Sequence, residues 1–165
     1  WVSFQLPVKP TVTGNTTSSK TLPISLIFSV LKHTSESKIM NFEIQASPRT
    51  PYLMLNAESH LIVLEGESYP EDTRKFYDVP MSTLHKYLEI DHPENVVCQF
   101  KLKYFNSSSA KVLLDLFMAI ETAAERGNKL TIEWHYAEDD DNMRELGEEF
   151  SEELSQAEFK LVSVA

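Results

Sequence analysis

The chain has 165 residues, of which 42% are hydrophobic, and its formal net charge is −10. This length and composition favour one domain with its own hydrophobic core. A surface this acidic repels nucleic acid and anionic lipid, and no apolar run approaches the roughly 20 residues of a membrane span. The single cysteine, Cys98, excludes an internal disulfide and fits a reducing compartment. We therefore expect a cytoplasmic protein that binds neither nucleic acid nor membrane.

Residues 1–39 differ in composition from the rest of the chain. They are rich in Ser and Thr and contain one acidic residue, Glu36. An apolar stretch at 22–31 resembles a signal-peptide core only weakly, because no small-residue cleavage pattern follows it. We expect residues 1–39 to be a poorly structured leader or a non-native N-terminal extension, and residues 40–165 to form the domain.

Short strands dominate the first part of this domain. Alternation and β-branched content predict strands at 41–46, 52–56 and 60–66, and the short turn at 57–59 makes the last two a hairpin. A Ser-Tyr-Pro-Glu-Asp run from Ser68 then predicts the start of a short helix over about 71–77.

Pro80 is expected to end that helix, since proline removes a backbone donor and disfavours helical geometry before it. A second helical segment follows, with Met81, Leu84 and Leu88 on one face, and it is expected to end at His92-Pro93.

The second part of the domain alternates strands and helices. The pattern predicts a strand at 95–104, a helix at 108–126 closed by Gly127-Asn128, a strand at 129–136, a helix at 142–154 and a strand at 159–164.

A strand, a helix and a second strand of this length form a crossover, so the strands at 95–104 and 129–136 should be parallel. Both alternate apolar with polar residues, which indicates helices on one face of the sheet. Cys98 then packs in the core, while Lys101 or Lys103 should approach Glu133 on the exposed face.

The turn between this strand and the next helix carries Asn106, Ser107, Ser108 and Ser109. Asn and Ser cap helix N-termini, because a short side-chain oxygen accepts an otherwise unpaired backbone N–H. The free N–H groups and the positive helix end at such a turn also suit a phosphate. The residues alone therefore fit either a simple cap or a phosphorylation site.

Patterns typical of metal sites and catalytic sites fail in this sequence. Counted from Asp139, the acidic run at 138–141 lacks the glycine and the bidentate glutamate of an EF-hand, and it is better explained as a helix start. The histidines lack metal-ligand spacing, and neither a Gly-rich phosphate loop nor a Gly-x-Ser-x-Gly elbow occurs. We expect no metal, no cofactor and no catalytic activity.

Four stretches, taken together and in order, resemble the SiaC family of bacterial regulatory phosphoproteins over about 40–164. They are Gly66-Glu67-Ser68-Tyr69-Pro70-Glu71, Leu102-Lys103-Tyr104-Phe105-Asn106-Ser107-Ser108-Ser109, Trp134-His135-Tyr136-Ala137-Glu138-Asp139-Asp140 and Gly147-Glu148-Glu149-Phe150. The resemblance implies an α/β, STAS-like two-layer domain with a mixed β-sheet and helices mainly on one face. This is the fold of anti-sigma-factor antagonists.

The resemblance also implies a function. A SiaB-like protein kinase would phosphorylate Ser107, directly after Asn106, with Ser108 and Ser109 as alternatives. A metal-dependent serine/threonine phosphatase would reverse the modification. The unphosphorylated form would bind and activate a GGDEF diguanylate cyclase in c-di-GMP signalling, which controls biofilm formation and aggregation. Family members commonly carry Thr at the position of Ser107, whereas anti-sigma-factor antagonists carry Asp at the position of Asn106.

The surface expected to bind the partner surrounds this turn and comprises Tyr104, Phe105, Asn106, Lys111 and Asp115. The competing hypothesis is a small acidic enzyme or ligand-binding domain with a carboxylate site. The surroundings of Ser107 should distinguish the two, because an enzyme needs a deep pocket with two close carboxylates, whereas a switch needs an exposed surface.

Overall fold

The computed structural model describes residues 40–92 and 94–165, so the expectations for residues 1–39 lie outside the described residues. The described part contains six strands and three helices. In chain order they are β1 (Phe42–Ile44), β2 (Tyr52–Asn56), β3 (Leu61–Ser68), α1 (Thr73–Leu88), β4 (Val96–Phe105), α2 (Ser107–Glu125), β5 (Leu130–Ala137), α3 (Asp141–Glu152) and β6 (Glu158–Val164).

The strands form one mixed sheet in the order β1-β2-β3-β4-β5-β6. β1, β2 and β3 are antiparallel neighbours, and β2 and β3 form the predicted hairpin. From β3 to β6 every pair is parallel, and a helix connects each strand to the next. The predicted parallel pairing of β4 and β5 is confirmed.

One face of the sheet carries the hydrophobic core. Phe100 of β4 and Trp134 of β5 are buried with Leu84 of α1, Leu116 of α2 and Met143 of α3 in one cluster. Cys98 belongs to the same cluster, and its burial raises the pKa of the thiol to about 12, which fits a packing role. The prediction of a two-layer domain with helices on one face is therefore confirmed.

The opposite face of the sheet is more polar, but one predicted contact there is wrong. Glu133 lies opposite Gln99 in the register and accepts a hydrogen bond from its amide at 2.9 Å. Its neighbour His135 lies 3.3 Å away on the same strand. These partners replace the expected lysine, because the register aligns Glu133 with position 99 and not with Lys101.

The start of α1 differs from the sequence-based prediction. Ser68 continues β3 and pairs with Phe105 of β4, and its side chain is buried. The helix starts at Thr73 with Asp72 as its N-cap, whose carboxylate accepts a hydrogen bond from Lys75 N at 2.9 Å. Long-range strand pairing thus overrides the local helix-start signal at Ser68.

The second half of α1 also differs, because Pro80 lies inside a single continuous helix and does not divide it. A proline costs its helix about 3 kcal/mol, mainly through one lost backbone hydrogen bond and a local clash. Here Pro80 is buried, and Tyr77 and Leu84 on either side of it are anchored in the core, so packing offsets that cost. The helix ends at Leu88, four residues before the predicted end.

The remaining helix termini follow the sequence signals. Gly127 has φ +97° and its N–H donates to Ala124 O at 2.9 Å, as expected for a glycine that closes a helix. Asp140 caps α3 by accepting from Met143 N at 3.0 Å, which confirms the helix-start interpretation of the acidic run. Within 40–92 and 94–165, the helices are too short or too polar to cross a membrane.

Candidate functional site: the N-terminus of α2

A β-bulge precedes the turn at the N-terminus of α2. Gly66 pairs with Leu102, but Glu67 pairs with Tyr104, so Lys103 is an extra residue in β4. Gly66 has φ +104°, a conformation that favours glycine. The bulge changes the side of the sheet to which the following side chains point, as bulges near functional sites commonly do.

The bulge reverses the expected placement of the next two side chains. Simple alternation groups Tyr104 with Leu102 on the core side, but Tyr104 is 52% exposed. Phe105 instead turns inward, and its ring centroid lies 6.1 Å from that of Trp134. Tyr104, which is expected at the partner-binding surface, is thus exposed, whereas Phe105 contributes mainly to packing.

Asn106 holds the turn in place. Its side-chain oxygen accepts a hydrogen bond from Ser109 N at 2.9 Å, and its own N–H donates to Ser68 O at 3.0 Å. Asn106 is thus the N-cap of α2, and Ser107 is the first helical residue. Among the described residues, nothing accepts the backbone N–H groups of Ser107 and Ser108.

The three serines of the turn lie in different environments. Ser107 and Ser108 are exposed, whereas Ser109 is buried. The Ser109 hydroxyl lies 2.8 Å from the Ser68 hydroxyl, which in turn lies 2.6 Å from the Tyr77 hydroxyl. Molecules in solution can therefore reach the hydroxyl groups of Ser107 and Ser108, but not that of Ser109.

The surface around Ser107 is partly apolar. The ring of Tyr104 stacks edge-on against Tyr69, with centroids 5.6 Å apart. On the outer face of α2, Leu114 and Met118 are exposed beside the equally exposed Lys111 and Asp115, which share that helix face with Ser107. We call this region the switch surface; it comprises Tyr69, Tyr104, Ser107, Ser108, Lys111, Leu114, Asp115 and Met118.

The structure brings together most, but not all, of the predicted partner-binding residues. Tyr104, Asn106 and Lys111 lie within one helical turn of Ser107, whereas Asp115 lies two turns away and lines a groove between α1 and α2. Sequence analysis missed Leu114 and Met118, although their spacing from Ser107 on the helix was readable. No local sequence pattern marks Tyr69, because it comes close to Tyr104 only in the folded chain.

Comparison with known proteins identifies the family. A model of the SiaC family of regulatory phosphoproteins matches residues 44–164. The chain belongs to the SiaC family. A curated relative, the uncharacterized protein PA14_02130 of Pseudomonas aeruginosa strain UCBPP-PA14, is 26% identical over 115 residues, which cover 70% of this chain and 90% of that protein.

Solved structures agree with this membership. The crystal structure of apo-SiaC from Pseudomonas aeruginosa matches with 27% identity and a TM-score of 0.65, covering 76% of this chain and 98% of that one. A chain in the crystal structure of the diguanylate cyclase SiaD with its activator SiaC, from the same organism, matches with 25% identity and a TM-score of 0.70. That match covers 74% of this chain and 99% of the other.

Three carboxylates of this SiaC-family chain line the groove between α1 and α2. The groove between α1 and α2 is open, and its acidic residues Asp78, Glu89 and Asp115 are interspersed with basic ones such as Arg74 and Lys86. Asp78 and Glu89 are three helical turns apart on α1. Over the described residues, no group of three His, Cys, Asp or Glu side chains is placed to hold a metal ion.

Proposed function

We propose that this chain is a non-enzymatic signalling switch in which phosphate on Ser107 controls the binding and regulation of a GGDEF diguanylate cyclase. The observation that carries the proposal is the position of Ser107. It is the exposed first residue of α2, next to backbone N–H groups without an acceptor and to a partly apolar surface.

The domain itself should accept a phosphate at this position. A phosphoserine adds a charge of about −1.5 to −2 and three acceptor oxygens. The positive N-terminal end of α2 and the ammonium group of Lys111, one turn along, both favour that charge. Phosphorylation should therefore leave the fold intact.

The effect on a docked partner should be much larger. A partner that covers Tyr104, Leu114 and Met118 must also cover Ser107 and remove water from it. A buried, unpaired phosphate at the edge of such an interface costs a few kcal/mol, and about 2.7 kcal/mol corresponds to a hundredfold loss of affinity. Modification of one hydroxyl thus suffices to release the partner.

Family membership supports the identities of the partners. SiaC of Pseudomonas aeruginosa is named as the activator of the diguanylate cyclase SiaD, and a chain in the structure of that complex resembles this chain in fold. By analogy, the unphosphorylated chain would activate its own GGDEF cyclase in the cytoplasm. A SiaB-like kinase would add the phosphate to Ser107, and a metal-dependent serine/threonine phosphatase would remove it.

The alternative function, a small acidic enzyme or ligand-binding domain with a carboxylate site, has less support. Ser107 is not among the residues that line the groove, and the groove carboxylates lie among basic side chains. No described feature favours catalysis over partner binding.

Co-expression with a SiaB-like kinase tests the proposal directly. Mass spectrometry should find one phosphate in the wild-type chain and in Ser108→Ala, but none in Ser107→Ala. Calorimetric titration of a GGDEF cyclase should give tight binding for unmodified protein and about a hundredfold weaker binding for the phosphorylated form. Phosphate confined to other residues, or equal affinity of the two forms, would rule the mechanism out.

A further inference from the structure

Three buried hydroxyl groups lie directly beneath the turn that carries Ser107. Ser68 at the end of β3 is fully buried, Ser109 in the first turn of α2 is 1% exposed, and Tyr77 of α1 is 3% exposed. The Ser68 hydroxyl lies 2.6 Å from that of Tyr77 and donates to that of Ser109 at 2.8 Å. These contacts join β3, α1 and α2 through one hydrogen-bonded chain.

The chain has a defined direction at neutral pH. Burial raises the pKa of Tyr77 above its ordinary value of 10.0, so the phenol keeps its proton. Since Ser68 donates its single proton to Ser109, Tyr77 donates to Ser68. Hydrogen bonds in series polarise one another, so a change at Ser109 alters the bond made by Tyr77.

Ser68 also holds the turn through its backbone. Its carbonyl oxygen accepts from Asn106 N at 3.0 Å, while its hydroxyl contacts Ser109. Asn106 in turn accepts from Ser109 N. The contacts Ser68–Asn106–Ser109 connect the residues on either side of Ser107 and Ser108. A phosphate on Ser107 that binds the free N–H groups of Ser107 and Ser108 therefore acts on the turn that these contacts hold.

The far end of the hydroxyl chain reaches the groove between α1 and α2. Tyr77 lines this groove together with Met81, Asp115 and Met118. Movement of the Tyr77 ring therefore changes the shape of a wall that faces solvent, near apolar side chains of the switch surface.

We propose that Tyr77, Ser68 and Ser109 are positioning residues that link Ser107 to the groove, so that phosphate on Ser107 rearranges the groove wall as well as adding charge. This inference rests on the proposed function and deepens it, because it extends the regulated surface from the turn to α1. A partner whose contacts lie in the groove would sense the modification without touching the phosphate.

Methionine-methyl NMR of the full chain tests the link, with phosphoserine installed at position 107 by genetic code expansion. No kinase is needed, so the result does not depend on whether Ser107 is the natural phosphorylation site. The methyl signals of Met81 and Met118 should shift on phosphorylation, while that of Met54 in β2 should not.

Tyr77→Phe should then abolish most of the shift at Met81, because the ring remains but the hydroxyl that joins it to Ser68 is lost. Tyr87→Phe is the matched control, since Tyr87 is also a buried tyrosine of α1 but its hydroxyl contacts His60. It should leave the phosphate-induced shift unchanged.

Three outcomes would overturn the link: no Met81 shift in wild type, an undiminished shift in Tyr77→Phe, or equal losses in Tyr77→Phe and Tyr87→Phe. If Tyr77→Phe does not fold, as judged by circular dichroism, the Met81 shift is measured in Ser109→Ala instead, where it should also be lost. That substitution removes the other end of the chain while retaining a good helix former.

Discussion

Asn106 and Ser107 are adjacent, yet their side chains have different roles in the structure. The Asn106 amide is engaged in capping α2, whereas the Ser107 hydroxyl has no described hydrogen-bond partner and faces solvent. The Ser107 hydroxyl can therefore be modified while the Asn106 amide continues to cap α2. Had Ser107 been the cap, a phosphate on it would have broken the turn it modifies.

A matched pair of alanine variants should separate these roles. Asn106→Ala is expected to lower the free energy of unfolding by about 1 kcal/mol, because Ser109 N loses its acceptor, while Ser107→Ala should cost close to nothing. Urea titrations followed by circular dichroism measure both values. Equal destabilisation by the two variants would contradict the assignment of the cap.

At the level of elements, a carboxylate fastens α2 to the segment between α3 and β6. Glu121 is 6% exposed and accepts from the N–H groups of Ser155, Gln156 and Ala157 and from the Ser155 hydroxyl, at 2.8–3.0 Å. Burial alone would raise the pKa of Glu121, but these hydrogen bonds together hold it below its ordinary value of 4.5.

This lowered pKa predicts an acid-dependent loss of stability. The contribution of Glu121 is fully present above its unfolded-state pKa and is lost as the pH falls through the lower folded-state value. Glu121→Gln should reduce the free energy of unfolding by about 2 kcal/mol near pH 7 and by less near pH 3. Urea unfolding of both proteins at several pH values checks this, and a pH-independent difference would contradict it.

The contact between α3 and β5 leaves no space for a side chain at Gly147. A Cβ atom there would lie 2.5 Å from Trp134 Cδ1 and 2.6 Å from Leu161 Cδ2. The indole cannot easily move away, because its Nε1 donates to Met143 O at 2.8 Å on the same helix.

Gly147→Ala is therefore expected to destabilise the protein by about 1–3 kcal/mol, although alanine is the better helix former by about 1 kcal/mol. Glu149→Ala, at an exposed position of the same helix, is the control and should change little. Thermal unfolding measures both, and a more stable Gly147→Ala protein would show that α3 can shift on the sheet.

The helices and strands also show which structural features local sequence patterns predict. Alternation and helix periodicity located every described strand and helix, since each signal depends on residues within one element. The assignments that failed depend on distant partners: Ser68 is held in β3 by β4, and Pro80 is tolerated because α1 packs on the core. The outward direction of Tyr104 likewise depends on the bulge that β4 forms with β3. Ser107 was located correctly at the helix start, but the burial of Ser109 needed the contact with Ser68.

At the scale of the whole molecule, the described residues from Met40 onward already form a large core cluster. Met40 already packs against the core cluster, and the family match begins at residue 44. A chain that begins at Met40 is therefore expected to keep its melting temperature within a few degrees of that of the 165-residue chain. Differential scanning calorimetry of the two proteins measures this, and a large drop would show that residues 1–39 contribute to the core.

The extra residue in β4 also predicts where this strand tolerates the loss of a residue. Beyond Lys103 the strand pairs as though that residue were absent, so its deletion would leave Tyr104 and Phe105 on their present faces. Deletion of Lys101, only two residues earlier, would turn Leu102 towards solvent, because each one-residue slip exchanges the two faces of a strand. We expect lineages to gain or lose a residue at 103 and not at 101, a difference that the melting temperatures of the two deletion variants would reveal.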